Sequence, residues 1–144
     1  MDSYADTGFL ISLYINETTT VAASSVAQNV TGPLPLISLG FLELHNALYL
    51  AVFRKQISEA IQRAAWQTID RDIRNGILMN ARVDSDRLYG KAAELADKHS
   101  ITAGTRTLDL IHVAAASLLG VKQLLSFDNR QRVVATREGL RVLP

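Results

Sequence analysis

The chain has 144 residues, a formal net charge of +1 and no cysteine. This length predicts a single domain spanning residues 1–144 with a full core, and the nearly balanced charge means that a polyanion must be bound by a local basic patch or through metal ions. The absence of cysteine excludes disulfides and thiolate metal sites and fits a cytoplasmic protein, and neither an export signal nor a membrane-spanning segment is indicated.

Short apolar runs that read as β-strands alternate along the chain with longer stretches of helical periodicity. In the first half, the pattern predicts a strand at 3–5, a helix directly after it, a weak helix at 18–30, a strand at 34–38, and helices at 39–55 and 58–77. Gly32 and Pro33 end the weak helix. The segment 39–55 is apolar almost all round, which predicts a buried helix.

In the second half, the pattern predicts helices at 84–99, 107–119 and 129–138 and strands at 122–127 and 140–143. Thr107 is the predicted N-cap of its helix, and Gly120 is its predicted end. Strands separated by helices cannot pair as hairpins, so this order predicts an α/β protein with a parallel sheet. The triplet Asp6-Thr7-Gly8 also occurs in aspartic proteases, but those enzymes are all-β, so the predicted helices exclude that class.

Four acids stand where a purely structural role is also available. Asp6 and Asp128 each end a strand and precede a helix, where an aspartate commonly caps backbone N–H groups. Asp109 lies in the first turn of its helix, where the macrodipole favours an anion, and His112 on the same helix is predicted to be hydrogen-bonded in the core. Glu43 lies in the apolar helix, where a carboxylate needs an arginine partner or a partly exposed face.

Considered together, the four acids predict a shared site. The carboxyl ends of parallel strands form the edge where ligands bind, and both Asp6 and Asp128 are predicted to lie at that edge. Asp109 and Glu43 can reach the same crevice from their helices. Carboxylates gathered in one place repel each other unless a cation joins them, and oxygen ligands without sulfur select Mg²⁺ or Mn²⁺.

Four blocks of sequence surround these acids, in the order YADTGFLISLY, LGFLELHNAL, RTLDLIHVAAASLLG and LLSFDNR. Together they resemble the blocks of the PIN-domain nucleases, and most closely the VapC-type toxins of toxin–antitoxin pairs. The resemblance implies a three-layer α/β/α sandwich with a central, mainly parallel sheet of about four to five strands. It also implies a Mg²⁺- or Mn²⁺-dependent endoribonuclease whose catalytic and metal-binding residues are Asp6, Glu43, Asp109 and Asp128.

The residues expected to contact RNA flank these acids. The resemblance assigns the substrate side to Thr7 and to Ser126 or Asn129. Position next to the acids adds Arg106 and Arg130, whose guanidinium groups suit RNA phosphates.

Partners follow from the resemblance and from the apolar stretch FLELHNALYLAVF. The resemblance implies a cognate antitoxin, and the apolar stretch predicts a homodimer, because it offers more apolar surface than one small core covers. Parts of 18–30 and of 39–55 are predicted to supply the contacts to the second copy and to the antitoxin. Two alternatives stay open. One is a stand-alone PIN nuclease without an antitoxin, and the other is an inactive PIN-like module that binds RNA or protein as a scaffold.

Overall fold

The computed structural model describes all 144 residues, which form seven α-helices and five short β-strands. In chain order these are β1 (Ser3–Ala5), α1 (Thr7–Tyr14), α2 (Thr20–Ala27), β2 (Leu34–Leu36), α3 (Ser38–Phe53), α4 (Glu59–Arg74), β3 (Leu78–Asn80), α5 (Ser85–Ala103), α6 (Thr107–Leu118), β4 (Gln123–Leu125), α7 (Asn129–Arg137) and β5 (Arg141–Leu143). None of the helices combines the length and the apolarity needed to cross a membrane.

All strand pairs are parallel, as predicted. β4 lies between β1 and β5, with Tyr4 opposite Leu124 and Leu124 opposite Val142. β2 pairs with β3 in a separate two-stranded sheet. The Cα atoms of β2 approach those of β1 within 8 Å without strand pairing, so in space the two sheets continue one layer in the order β3-β2-β1-β4-β5. The chain moves outward in one direction from β1 to β3 and in the other from β4 to β5. The strand order therefore reverses between β1 and β4.

The sheet separates two hydrophobic cores, because neighbouring residues of a strand point to opposite faces. Tyr4 and Leu124 belong to the core under α5, α6 and α7. Ala5 and Leu125 belong to the core under α1 to α4. These two cores with the sheet between them confirm the predicted three-layer α/β/α sandwich.

Two local predictions were wrong. The fourth helix ends at Arg74 instead of continuing to position 77, because Gly76 adopts φ of 73° and the chain then enters β3, a strand that was not predicted. The N-cap of α6 is Arg106, and Thr107 is the first helical residue. The cap moves because the backbone N–H of Arg106 donates to the Asp109 carboxylate, 2.9 Å away.

Candidate active site

Asp6 lies between β1 and α1 and is 3% exposed. One carboxylate oxygen, Oδ1, accepts the backbone N–H of Phe9 at 2.7 Å and caps α1, as predicted. The other oxygen, Oδ2, accepts the hydroxyl of Ser126 at 2.5 Å. Burial raises the pKa of Asp6, and these two hydrogen bonds offset part of that rise. Asp6 is thus a cap whose charge is held at some cost to stability.

Glu43 projects from α3, and its carboxylate accepts two hydrogen bonds at the same oxygen. Oε2 lies 3.1 Å from the Thr7 hydroxyl, which donates, and 2.8 Å from Nε2 of His112. Of the two predicted accounts of Glu43, an arginine partner or a partly exposed face, the second is confirmed, because the side chain is 20% exposed and its partner is a histidine from α6. His112 is buried, and its Nδ1 lies 2.9 Å from the Tyr4 hydroxyl, which confirms its prediction as a hydrogen-bonded core residue.

Asp109 and Asp128 share one cation, Arg106. The guanidinium Nε lies 3.2 Å from Oδ2 of Asp109, and Nη2 lies 3.3 Å from Oδ2 of Asp128. The bonds to Asp109 raise the pKa of Arg106. Asp128 also caps α7, since its Oδ1 accepts the backbone N–H groups of Arg130 and Gln131 at 2.8 and 3.2 Å. Asp128 thus caps α7 with one oxygen and pairs with Arg106, beside Asp109, through the other.

All four carboxylates line one cleft of about 500 Å³, in which a single lining residue is hydrophobic. Asp6 enters from the end of β1 and Asp128 from the loop after β4, so the cleft lies where the strand order reverses. In open parallel sheets this is where ligands bind. Asp109 and Glu43 complete the cleft from α6 and α3.

Solved structures of known proteins share this arrangement of helices and strands. A VapC toxin of Mycobacterium tuberculosis, described as cleaving the sarcin–ricin loop, superposes with a TM-score of 0.71, covering 99% of this chain and 100% of the toxin at 16% identity. The chain has the PIN fold of the VapC toxins. A scan against protein-family models and a search of curated proteins found no match.

Two assemblies contain the same PIN fold. One is VapBC2 of Rickettsia felis bound to a fragment of its promoter DNA, with a TM-score of 0.66 and 11% identity over 99% of this chain and 97% of the other. The second is a toxin–antitoxin complex from Klebsiella pneumoniae, with a TM-score of 0.60 and 15% identity over 90% of this chain and 89% of the other. At such identities the likeness establishes the fold, and the chemistry has to be argued from the cleft.

The residues predicted to contact RNA do not all lie in the cleft. Thr7 and Arg106 line the cleft. Ser126 is fully buried beneath Asp6, so it is placed to orient that carboxylate and not to touch RNA. Asn129 and Arg130 are exposed in the first turn of α7, outside the cleft wall. They are available only to RNA that extends beyond the cleft.

Two further residues of this PIN fold line the cleft, and sequence reasoning did not assign them to it. His112 follows Asp109 by three residues on α6, and Gln131 follows Asp128 by three residues at the start of α7. Residues three apart on a helix share a face, and this spacing was the available signal. The side-chain oxygen of Gln131 is buried without a hydrogen-bond partner, so it is an unsatisfied acceptor.

The donor set of the cleft fits a hard divalent cation. It consists of carboxylate oxygens, with the partnerless amide oxygen of Gln131 next to them, and it contains no thiolate. No three of the acidic and histidine side chains are yet arranged to hold one ion. Arg106 is paired with two of these acids, Asp109 and Asp128, through its guanidinium. An ion held by those two carboxylates would compete with it.

Proposed function

We propose that this chain is a Mg²⁺- or Mn²⁺-dependent endoribonuclease, the cytoplasmic toxin of a type II toxin–antitoxin pair. The observation that supports this most strongly is the convergence of four carboxylates from four separate elements into one polar cleft. RNA as the substrate class is supported by the shared fold with a toxin described as cleaving the sarcin–ricin loop. An antitoxin partner is supported by the shared fold with chains of toxin–antitoxin assemblies.

Capping alone does not account for the cleft. The caps of α1 and α7 need one carboxylate each, and these could lie far apart. Asp6 is nevertheless buried with a raised pKa, and Glu43 stands in a mostly apolar helix. Buried, mutually close carboxylates reduce stability, and such arrangements are typical of sites that bind a cation or catalyse a reaction.

The residues divide the chemistry among them. Asp6, Asp109 and Asp128 would hold the metal, which when bound would lower the pKa of a water and neutralise charge on the attacked phosphate. Glu43 orients that water through Oε1, since Oε2 is occupied. Arg106, once released from its two aspartates, is the cationic residue of the cleft wall that can contact a phosphate. In-line attack by the water oxygen would form one P–O bond at phosphorus as the bond to the leaving oxygen breaks; the proton lost by the water would pass to solvent, and the leaving oxygen would take one up.

The purified chain, free of any partner, should cleave single-stranded or looped RNA when Mn²⁺ or Mg²⁺ is present and stop when EDTA is added. Adding excess Mn²⁺ back should restore cleavage, because the carboxylates remain in place. An Asp109→Asn variant purified in the same way controls for contaminating ribonuclease. Cleavage that persists in EDTA, or that is equal in Asp109→Asn, would contradict the proposal, and a wild type that binds RNA without cutting it would indicate a scaffold.

An apolar stripe lies on the outside of α3, within the 39–55 segment from which contacts to a second copy and to an antitoxin are predicted. Leu42, Tyr49 and Phe53 are 61%, 53% and 82% exposed and stand seven and four residues apart, which places them on one helix face. An exposed stripe of this kind is typical of an interaction surface. We propose that it binds a second copy of the chain and borders the surface that the antitoxin covers.

Light scattering should therefore give a dimer for the wild type at tens of micromolar and a lower mass for Phe53→Ser. Ile101→Ser is the matched control, since Ile101 is 97% exposed on α5 and the substitution is of the same kind. It should leave the mass of the wild type unchanged. A monomeric wild type would exclude the dimer.

A further inference from the structure

Three side chains from three elements form a hydrogen-bonded chain that leads from the core to the cleft. The Tyr4 hydroxyl of β1 lies 2.9 Å from His112 Nδ1, and His112 Nε2 of α6 lies 2.8 Å from Glu43 Oε2 of α3. Tyr4 is 1% exposed and His112 is 2% exposed, whereas the Glu43 side chain is 20% exposed. These two hydrogen bonds thus connect a buried phenol to a carboxylate that reaches the cleft.

The direction of these hydrogen bonds follows from the carboxylate. The Oε2 oxygen of Glu43 can only accept, so the Nε2–H of His112, 2.8 Å away, donates to it. With the ring proton on Nε2, the Nδ1 of the neutral imidazole accepts, and the Tyr4 hydroxyl, 2.9 Å away, donates to it.

Both bonds to Glu43 fall on one oxygen. Thr7 and His112 each donate to Oε2, and Oε1 has no protein partner. A long, flexible carboxylate is thereby fixed with one oxygen anchored and the other free for the cleft. Tyr4 contributes by fixing the tautomer and the plane of the ring, as the outer partner of an active-site histidine does.

We propose that Tyr4 and His112 are positioning residues that hold Glu43 so that Oε1 faces the attacking water. This inference rests on the proposed nuclease function. If these hydrogen bonds were purely structural, they would satisfy the buried polar atoms of Tyr4 and His112 and leave the rate of RNA cleavage unaffected. The two roles therefore differ in what they predict for kinetics.

The first arm of the test measures RNA cleavage by variants whose folding is verified by circular dichroism. His112→Leu should lower kcat by roughly 10–100-fold with little change in KM, the usual effect of removing such an outer partner. His112→Gln should recover most of kcat, because its amide can still donate to Oε2. His99→Leu is the matched control, since it breaks a 2.8 Å bond between a histidine Nε2 and Glu138 outside the cleft. It should cleave like the wild type.

The second arm does not depend on activity. ¹⁵N chemical shifts of the His112 ring should report the Nε2–H tautomer in the metal-free wild type and a mixture of tautomers in Tyr4→Phe. An Nδ1–H tautomer in the wild type would overturn the hydrogen-bond assignment. Full kcat in a folded His112→Leu would overturn the positioning role while leaving the nuclease standing. A wild type that cleaves no RNA would overturn the proposed function, and with it the positioning role, whereas the NMR result would still decide the hydrogen-bonded chain.

Discussion

The Asp6→Asn variant should stay folded and cleave RNA roughly 10²–10⁴-fold more slowly than the wild type, because the metal that Asp6 helps to hold supplies several kcal/mol of transition-state stabilisation, at about 1.4 kcal/mol per tenfold in rate. Asparagine keeps the size of the side chain, and its amide oxygen can still accept the N–H of Phe9 that caps α1. The variant loses the negative charge at the end of β1, which a divalent cation needs. Initial rates on a labelled RNA at saturating Mn²⁺ measure the loss.

The matched control for this variant is Asp97→Asn. Asp97 is exposed on α5 and does not line the cleft, and the substitution removes the same charge with the same change of shape. It should cleave at the rate of the wild type. If Asp6→Asn and Asp97→Asn cleave equally fast, Asp6 is a helix cap and nothing more.

The Asp6→Asn variant also measures how much the buried charge of Asp6 lowers the stability of the folded protein. The pKa of Asp6 is raised above its usual value of 3.8, mainly because the side chain is buried, so the folded chain holds the proton more tightly than the unfolded chain. The stability that protonated Asp6 provides is therefore present below about pH 4 and is lost as the pH rises through the folded-state pKa. In EDTA, the Tm of Asp6→Asn relative to the wild type should rise between acidic and neutral pH. A difference that does not change with pH would show that the charge is not penalised.

The acids at the strand ends could be predicted from sequence because their signals are local. An apolar run, an aspartate and a helix start follow one another directly at Asp6 and again at Asp128. A cap at the start of a helix that follows a parallel strand necessarily lies at the carboxyl edge of the sheet. The same short pattern therefore predicts both the cap and the cleft, and only the structure shows that they coincide.

The contacts between distant elements could not be predicted in this way. Glu43 and His112 are 69 residues apart, and their pairing depends on how α3 and α6 face each other across the cleft. Helical periodicity places each residue on a face of its own helix and does not indicate which faces meet. β3 was missed for a different reason: its apolar residues follow directly on Ile77, which stands four residues after Ile73 and so fitted the period of the preceding helix. Gly76, which ends α4 before it, was the local signal.

The Arg106→Gln variant should bind Mn²⁺ more tightly than the wild type, because Arg106 competes with a cation for Asp109 and Asp128. Its side chain is 66% exposed, so the ion pairs are screened by water and can be replaced. At about 100 times its dissociation constant, an ion adds roughly 2.7 kcal/mol of stability, which raises Tm by roughly 5–10 °C in a domain of this size. At one fixed Mn²⁺ concentration, the rise should be larger in the variant.

In EDTA the Tm of Arg106→Gln should be lower than that of the wild type, because without Arg106 the two aspartates have no cation between them and repel each other. The backbone N–H of residue 106 still caps α6, so the helix itself is preserved. Arg74→Gln is the matched control, since Arg74 is 68% exposed and pairs with Asp70 on α4 at 2.6 Å. It should match the Mn²⁺-induced rise in Tm of the wild type. An equal rise in Arg106→Gln would mean that the guanidinium does not occupy the cation's place.

RNA cleavage by Arg106→Gln should nevertheless be weaker, because the released guanidinium is the group that is placed to contact a phosphate. Losing one phosphate contact should lower the salt dependence of RNA binding by about 0.7 in the slope of log K against log salt for a single strand. Tighter metal binding combined with weaker RNA binding distinguishes the two parts of this role. A variant that gains Mn²⁺ affinity and keeps the salt slope of the wild type would show that Arg106 only balances the charge of the empty cleft and does not contact RNA.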